Sequence, residues 1–505
     1  MKVLLNRDSD IPFYMQIAGQ IKRQIISGEI IPGFRLPPER KLADSLGINR
    51  TTVLNAYREL KAEGLVGSRV GQGTVVLSPL RDEAAGMENR VPEPPWNQIF
   101  SKYAHGINSF IVKDLLTLAN RKDVISFATG IAAPDSGPIQ ALAGIEHDIV
   151  LQKNYRGLLH SPTEGFSTLR EAICALMQPR GVYCHHDEVM LLSGSQQGID
   201  LTSRIMLEPG DIALVEEPSF FPAIQALKAA GVRVVGVPMD KRGMRVDMLE
   251  PILHRYRPKL IYTIPNFHNP TGSEMSLERR KQLLELAYKH RVLILEDDAY
   301  AELCYDGQPL PTLKSMDSEG YVIYLSTFSK IIYSGLRLGW MVAHKKAIKK
   351  FAAAKQIMDL HSSSLSQWIV ERFILEGGLN VHIPVICNEY RVKRDAMYDA
   401  LTQYAPSDAQ WNRPRGGYYI WCRLPEKVAA SRLLGKAAER KVVFVPGTAF
   451  YLAEQGDDYV RLNFTFAPLK DIGEGVKRLC EAMKDLKDSN DVSEEDEPVE
   501  ISPIV

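Results

Sequence analysis

Lys330 is the residue whose position most strongly suggests chemistry. It follows an apolar run, YVIYL (321–325), and a polar turn, STFS. An isolated lysine is usually a surface charge, but a lysine at the end of a buried strand can lose its proton by desolvation and become a nucleophilic amine. Such an amine forms an imine with an aldehyde, and pyridoxal phosphate (PLP) is a common protein-bound aldehyde. The position of Lys330 therefore suggests a PLP site.

A PLP site needs an acid for the pyridine nitrogen and donors for the ring oxygen. In EDDAY, Asp297 ends a strand-like run and Tyr300 follows three residues later. An ionised Asp297 would keep the ring nitrogen protonated, and Tyr300 could donate to the ring oxygen. Asn269, in the proline turn NPTG, could reach the same oxygen. Each motif also occurs by chance, so the hypothesis depends on their combination.

The phosphate of PLP needs a cradle of N–H and hydroxyl donors. The stretch SGSQQG (193–198) predicts a small-residue turn that opens a helix, where free backbone N–H groups suit a phosphate. The candidates for this end of the cofactor are Ser195, Gln196, Thr327, Ser329 and Arg337. Phe220, in EEPSFF, could stack on the ring.

These residues fall in a region of alternating strand and helix patterns. Runs such as DIALVEE, KLIYTIP, RVLILEDD and YVIYLSTF alternate with helical stretches such as 276–290, which predicts a largely parallel α/β sheet with helices on both faces. The last hundred residues, with a final helix near 469–486, predict a smaller α+β lobe.

The first eighty residues have a different pattern. Apolar spacing predicts helices over 12–28, from Pro38 to about 45, and over 50–63, followed by two short strands around the turn Gly71-Gln72-Gly73. This order indicates a winged helix-turn-helix, whose third helix would lie in the DNA major groove and whose hairpin would touch phosphates. On that helix the buried stripe turns Thr51, Asn55 and Arg58 away from the core.

Composition limits the remaining possibilities. The net charge is zero, but residues 1–80 hold 11 Lys/Arg against 7 Asp/Glu, and residues 488–500 hold 7 acids and no base. We expect the tail, 487–505, to be solvated and disordered. Six cysteines lack metal-ligand spacing, so we expect reduced thiols, no metal site and a cytoplasmic protein. No run is long enough to cross a membrane.

The N-terminal stretch resembles the GntR family of bacterial repressors. The resemblance covers about 65 residues, from PFYMQI through LPPERKLADSLGINRTTVLNAYRELKAEGLV to GQGT. It implies that Arg40, Arg50, Thr51 and Thr52 meet DNA, and that Gly71 and Gly73 let the wing approach closely.

The large region resembles the fold-type-I aminotransferases over residues 110–485. The matching pieces are GSQQ, EEPSF, NPTG, EDDAY, SKxxxxGLRLG, GGYYIW and RLNF. The resemblance implies that Lys330 bonds to PLP, that Asp297 pairs with the pyridine nitrogen, and that Asn269 and Tyr300 bind the ring oxygen. It also implies that Arg461 grips a substrate carboxylate.

Two positions depart from the aminotransferase pattern. His160 stands before TEGF where the family often has a tyrosine that reaches the neighbouring subunit's phosphate. The stacking aromatic is Phe220, without a hydroxyl. Both changes are compatible with cofactor binding, but they put efficient turnover in doubt.

The two regions together resemble the MocR/GabR subfamily of GntR-type regulators. The domains expected are a winged helix-turn-helix (1–78), a linker (79–98), an aminotransferase-like PLP domain (99–486) and the acidic tail. This resemblance implies a homodimeric, PLP-dependent transcriptional regulator that binds operator DNA and senses a small amine or amino acid. One alternative is an active aminotransferase with an autoregulatory DNA-binding domain. Another is a PLP-free scaffold used for dimerisation, against which the intact Lys330 set argues.

Overall fold

The structure of the protein is a computed structural model in two compact units, Met1–His105 and Gly106–Val505. The residues that it describes are 3, 5, 12–26, 30, 34–62, 65–69, 73–77, 99–101, 104, 121, 123–131, 135–151 and 159–490. The predicted linker (79–98) lies outside these ranges, as does Gly71. Within them, no helix is both long and apolar enough to cross a membrane.

The first unit has the predicted order of elements. Three helices precede a two-stranded antiparallel hairpin: α1 (Phe13–Ile26), α2 (Glu39–Leu46), α3 (Arg50–Ala62), β1 (Val66–Arg69) and β2 (Gly73–Val76). The predicted fold of a winged helix-turn-helix is therefore confirmed for this part of the chain.

The helices of the first unit pack through apolar stripes. On α3, Val53, Ala56 and Leu60 are at most 1% exposed, and they pack in one cluster with Ile17 and Ile21 of α1. This spacing places one apolar side of α3 in the core and leaves the opposite side free to contact a ligand. The turn between α2 and α3 depends on Gly47, whose φ of 64° is costly for residues with a Cβ.

The second unit is built on an eight-stranded sheet. Its order is β4-β11-β10-β9-β8-β5-β6-β7, and the strands β5, β6, β8, β9 and β10 run parallel. The strands of this sheet are β4 (Val189–Leu192), β5 (Ile212–Glu217), β6 (Arg233–Asp240), β7 (Gly243–Met244), β8 (Leu260–Thr263), β9 (Leu293–Asp297), β10 (Val322–Thr327) and β11 (Gly339–Val342).

Helices cover both faces of this sheet, as predicted. The α-helices of the second unit within the described residues are α4 (Ile139–Leu151), α5 (Ser167–Met177), α6 (Ser195–Met206), α7 (Phe221–Ala229), α8 (Leu249–Tyr256), α9 (Leu277–His290), α10 (Leu313–Met316), α11 (Lys345–Asp359), α12 (Ser364–Leu375), α13 (Gly378–Tyr404), α14 (Ala430–Glu439) and α15 (Leu469–Asn490). Residues of α6, α7 and α11 share one apolar cluster with the sheet, and residues of α8 and α9 share another.

The predicted C-terminal α+β lobe is a four-stranded sheet with the order β12-β13-β16-β15, accompanied by α14 and α15. Its strands are β12 (Gln410–Trp411), β13 (Tyr419–Arg423), β15 (Val445–Pro446) and β16 (Tyr459–Asn463); a separate parallel pair joins β3 (Ile125–Ser126) to β14 (Val442–Val443).

The final helix is longer than predicted. It continues to Asn490, so the first four residues of the expected tail are helical, and Lys487 in this turn contacts Asp408 at 2.8 Å. Residues 491–505 lie outside the described ranges.

A buried arginine holds the loop that leaves β8. Arg280 of α9 is fully buried, and its guanidinium donates to the carbonyl oxygens of Met275, Pro311 and Pro265 and to Asn266 Oδ1 over 2.7–3.0 Å. A planar group with five donors suits such a set of acceptors. The hydrogen bonds to Pro265 and Asn266 thus hold the start of the loop that carries Asn269.

We predict that Arg280→Met lowers the free energy of unfolding of the second unit by about 3–5 kcal/mol, because the buried acceptors lose their donor. Denaturant unfolding measures the change. The control is Arg242→Met, since Arg242 is 59% exposed and pairs with Glu278 at the surface; this change should be within about 0.5 kcal/mol of zero. Equal effects of the two substitutions would contradict the role given to Arg280.

Candidate functional site

A cavity of about 390 Å³ opens at the carboxyl ends of the parallel strands. This is where open α/β sheets bind ligands. All eleven residues predicted for the cofactor and the substrate carboxylate line this cavity: Ser195, Gln196, Phe220, Asn269, Asp297, Tyr300, Thr327, Ser329, Lys330, Arg337 and Arg461. Residues at or after the carboxyl ends of β4, β5, β8, β9 and β10 therefore meet here with Arg337 and with Arg461 of β16.

Lys330 lies on the short 3-10 turn Phe328–Lys330, directly after β10. Its Nζ donates to the Gly130 carbonyl oxygen at 2.5 Å and lies 5.8 Å from the centre of the Tyr300 ring. Burial lowers the pKa of the Lys330 ammonium, and the nearby positive charge of Arg461 acts in the same direction. More of this amine is therefore neutral than in an ordinary lysine, as a nucleophile requires.

Asp297 ends β9 and is 3% exposed. Its Oδ2 accepts a hydrogen bond from the Tyr262 hydroxyl at 2.9 Å, while its Oδ1 is buried and has no partner among the described residues. Burial raises the pKa of Asp297 to about 6, against the lowering effect of the Tyr262 hydrogen bond. A buried carboxylate oxygen without a partner is costly, so Oδ1 fits a cationic N–H donor such as a protonated pyridine.

Asn269 and Tyr300 lie beside Arg461. Asn269 Oδ1 accepts from Arg461 Nη1 at 3.0 Å, and because arginine can only donate, the Nδ2 of Asn269 is the group left to donate elsewhere. The Tyr300 hydroxyl lies 3.2 Å from the Tyr419 hydroxyl. The amide and the phenol can thus both supply donors to a ring oxygen.

The phosphate end of the predicted site combines a helix start with a cation. Helix α6 begins at Ser195 after Gly194, whose φ is 98°. This φ favours glycine because a side chain there would be strained, and a Cβ would also lie 2.9 Å from Arg337 Nη2. Arg337 Nη2 donates to the Ser193 carbonyl oxygen at 2.8 Å, and Thr327 Oγ1 lies 2.9 Å from Ser329 Oγ. Backbone N–H groups, hydroxyls and a guanidinium together suit a phosphate dianion.

Arg461 reaches the cavity from β16. It is 7% exposed, and its Nη2 donates to the Ala128 carbonyl oxygen at 2.8 Å. Its guanidinium carbon lies 4.3 Å from the Tyr419 ring centre and 5.0 Å from that of Phe450. Its Nε is buried and has no partner among the described residues. The guanidinium is thus held in place and keeps capacity to bind an anion.

Phe220 and His160, the two residues that depart from the aminotransferase pattern, lie in different surroundings. Phe220 lines the cavity, as predicted, at the start of α7. His160 does not line it; its Nδ1 lies 2.9 Å from His361 Nε2. The structure thus brings together every predicted cofactor residue and sets His160 apart from them.

Sequence reasoning missed several residues that position the site. Tyr262, which holds Asp297, lies in the apolar run KLIYTIP, where its hydroxyl gave no signal of its own. Tyr418 donates to the Lys330 carbonyl oxygen at 2.7 Å, and Tyr419 contacts Tyr300 and Arg461. Both tyrosines belong to the motif GGYYIW. The motif was noted in the sequence, but no role was given to its tyrosines.

The first unit presents a polar face on α3. Thr51 is exposed, Thr52 and Asn55 are half-buried, and Arg40 of α2 is exposed. Arg50, also exposed, pairs with Glu39 of α2 at 2.9 Å. Glu39 was not predicted, although it belongs to the motif LPPER. Its carboxylate accepts hydrogen bonds from Arg50 Nε and Nη2 at the start of the third helix. Gly73 begins β2, and Gly71 lies outside the described residues.

Two family models match this chain. "Aminotransferase class I and II" matches residues 122–481, and "Bacterial regulatory proteins, gntR family" matches residues 13–76.

Individual relatives divide in the same way. The chain is 32% identical over 485 residues to the uncharacterized HTH-type transcriptional regulator YisV of Bacillus subtilis, covering 95% of this chain and 98% of that one. It is 39% identical over 400 residues to aromatic-amino-acid aminotransferase 1 of Thermococcus litoralis, covering 78% and 96%. The solved structure of LysN, an alpha-aminoadipate aminotransferase from Thermus thermophilus complexed with N-(5'-phosphopyridoxyl)-L-leucine, is 36% identical, with a TM-score of 0.74 and coverage of 78% and 99%.

We predict that the affinity of the purified protein for PLP falls as the pH drops below about 6, because protonated Asp297 can no longer pair with a pyridinium. Asp297→Asn should bind PLP at least about tenfold more weakly at pH 7, equivalent to about 1.4 kcal/mol, and should lack this acid-dependent loss. Fluorescence titration across pH measures both effects.

The phosphate of PLP titrates in the same pH range, but it does so equally in both proteins. Tyr262→Phe serves as a second variant: without its hydrogen bond the pKa of Asp297 rises, so the loss of affinity should begin at higher pH. Identical pH profiles for the wild type and Asp297→Asn would contradict the assignment of Asp297.

Proposed function

Because this chain belongs to the class I and II aminotransferase family and to the HTH-type regulators with a gntR-family domain, we propose that it is a PLP-dependent transcriptional regulator that senses an amino acid. The single observation that carries the proposal is the buried Oδ1 of Asp297, which has no partner among the described residues, in a residue that lines the same cavity as Lys330. These groups serve a cofactor, and they occur in a chain that also carries a winged helix-turn-helix.

When bound, PLP supplies an aldehyde that captures a primary amine. In the proposal Lys330 provides the amine of the protein, and its lowered pKa keeps this amine reactive. Asp297 holds the proton on the pyridine nitrogen, while Asn269 and Tyr300 donate to the ring oxygen. The turn at Gly194 and the side chain of Arg337 hold the phosphate.

The remainder of the cavity suggests the class of effector. Arg461 is placed to bind a carboxylate, so we propose an amino acid. Among the described lining residues the only cationic side chains are Lys330, Arg337 and Arg461. A second carboxylate would therefore have no cation of its own. Apolar side chains form much of the remaining wall, including Ile131, Phe221, Ile264, Val445, Ala449 and Phe450. These features favour an amino acid with an uncharged, apolar side chain.

A second candidate function is an active aminotransferase whose DNA-binding domain only adds autoregulation. The complete set around Lys330 and the aminotransferase relatives favour it. Sustained transamination needs more than amino-acid capture, because Lys330 must also move a proton and a second substrate must enter. The histidine at position 160, where the family often has a tyrosine, and the DNA-binding unit favour the regulator. A scaffold without PLP is disfavoured, because it would have no need to bury Asp297 Oδ1 with no hydrogen-bond partner in the described part of the chain.

We propose that the protein is a homodimer in the cytoplasm, where it reaches operator DNA. Ile357 is 89% exposed and Leu360 is 54% exposed, and both lie within two residues of Asp359, whose Oδ2 is 3.2 Å from Ser193 Oγ at the phosphate end of the cavity. Exposed apolar side chains next to a site are typical of an interaction surface. A second copy covering this surface would complete the site, as fold-type-I sites are built across a subunit interface.

We predict that Arg50→Ala weakens binding to an operator selected by the wild type from a random DNA library. If Arg50 contacts a base edge, the loss should be about 1–3 kcal/mol and specificity at one position should relax. If it contacts only phosphate, all sequences should lose equally and the salt dependence should flatten. The control is Arg23→Ala, which removes the same charge from α1, where Arg23 is exposed. A folded Arg50→Ala protein with unchanged operator affinity would rule out this docking.

We predict that phenylalanine or leucine changes operator affinity of the PLP-loaded protein by about 5–150-fold, and that operator DNA changes amino-acid affinity by the same factor, as linkage requires. Arg461→Lys should weaken the response to these amino acids about tenfold, or about 1.4 kcal/mol, but not the response to butylamine, which lacks a carboxylate. Operator binding, the visible spectrum and keto-acid formation are measured in parallel. Rapid turnover with no effect of any ligand on DNA binding would favour the aminotransferase instead.

A further inference from the structure

Two cysteines lie side by side near the surface of the second unit. Cys174 is in the third turn of α5, and Cys184 follows the 3-10 turn Gln178–Arg180. Gly181, with a φ of 79°, reverses the chain between them. The Cys184 thiol donates to the Cys174 sulfur, and the two Sγ atoms are 3.3 Å apart.

The other four cysteines, all in the described range 159–490, have different surroundings. Cys304 donates to the carbonyl oxygens of Asp306 and Gly307, and Cys387 donates to that of Glu302. Cys422 and Cys480 are buried. Among the described thiols, only Cys174 and Cys184 are joined by a hydrogen bond.

The environment of the pair distinguishes its two thiols. The hydrogen bond from Cys184 lowers the pKa of Cys174, whereas the same bond and burial raise the pKa of Cys184. The thiolate is the reactive form, so Cys174 is the better nucleophile. Both side chains are half-buried, and their neighbours Ala175 and Tyr183 are exposed, so a small oxidant can reach the pair.

We propose that Cys174 and Cys184 form an oxidation site that a hydroperoxide converts to an intramolecular disulfide. The Cys174 thiolate attacks one oxygen of hydrogen peroxide, the O–O bond breaks, and with one proton a sulfenic acid and water form. The Cys184 sulfur then attacks the Cys174 sulfur, the S–O bond breaks, and the hydroxyl leaves as water with the Cys184 proton. Two thiols and one peroxide give one disulfide and two waters. The peroxide oxygens are reduced and both sulfurs are oxidised.

The geometry requires only a small movement. A disulfide has an S–S distance of about 2.05 Å, so the sulfurs must approach by about 1.3 Å from their present separation. Cys184 lies in an irregular segment between two 3-10 turns, Gln178–Arg180 and His186–Glu188, where the backbone can adjust more easily than in a helix. The proposal is independent of the regulatory function.

The test treats the full-length, PLP-loaded protein with a small excess of hydrogen peroxide, followed by thiol blocking, denaturation and tryptic digestion. Trypsin cleaves after Arg180, which separates Cys174 in EAICALMQPR from Cys184 in the next peptide. We expect mass spectrometry to find these two peptides joined and reduction to release them. Titration under denaturing conditions should count two thiols fewer than the six in the chain.

Three variants refine the result. Cys174→Ser should abolish the joined peptides, and Cys184→Ser should leave a Cys174 sulfenic acid that dimedone traps. Cys304→Ser, which removes a half-buried thiol outside the pair, should leave the joined peptides unchanged. Peptides joined through other cysteines, or six intact thiols in the peroxide-treated wild type, would overturn the proposal whether or not the variants fold.

Discussion

The site in the second unit depends on the carboxylate of Asp297, which is buried and has no cation among its hydrogen-bond partners in the described residues to balance its negative charge. Asp297 lies at the end of a central strand and lines the cavity. The Tyr262 hydroxyl donates to one of its oxygens, and the other is buried without a partner among the described residues. Ionising such a group costs free energy, which is why burial raises the pKa of Asp297 to about 6. The surrounding sheet holds it there because the parallel strands on both sides are buried and paired along their length. A cationic ligand that pairs with Asp297 would offset the free energy that ionising this buried carboxyl group costs.

The same constraint orders the other residues of the site. Lys330 follows the neighbouring strand β10, in which Leu325 is paired with Asp297 of β9. The register of these two strands therefore sets where Lys330 lies relative to Asp297. Arg461 comes from the C-terminal lobe and holds Asn269 in the loop that Arg280 secures from below. Asn269 and Arg461 are more than a hundred positions apart in the sequence, yet a buried hydrogen bond joins them. Both residues are carried by parts of the backbone whose position the apolar pattern of the strands defines.

This explains how much could be predicted from the sequence. Strand and helix order and the helix-turn-helix followed from periodicity. The cavity residues other than Arg461 followed from motifs at the ends of parallel strands, which must meet at one edge. Arg461 followed only from the resemblance to aminotransferases. Tyr262 could not be predicted, since its role depends on which strand pairs with β9. The ion pair of Arg50 with Glu39 likewise depends on how α2 packs against α3. The last turn of α15 was missed because a charged sequence looks unstructured until a tertiary contact, here Lys487 with Asp408, holds it.

The central claim is that Lys330 bonds covalently to PLP and that an amino acid displaces it from the cofactor. The most direct measurement is borohydride reduction of the PLP-loaded protein, followed by mass spectrometry of the peptide that contains residue 330, with and without phenylalanine added before reduction. The account predicts a pyridoxyl adduct on Lys330 that phenylalanine depletes and that Lys330→Ala lacks. An adduct on another lysine, or one equally intense in Lys330→Ala, would contradict it.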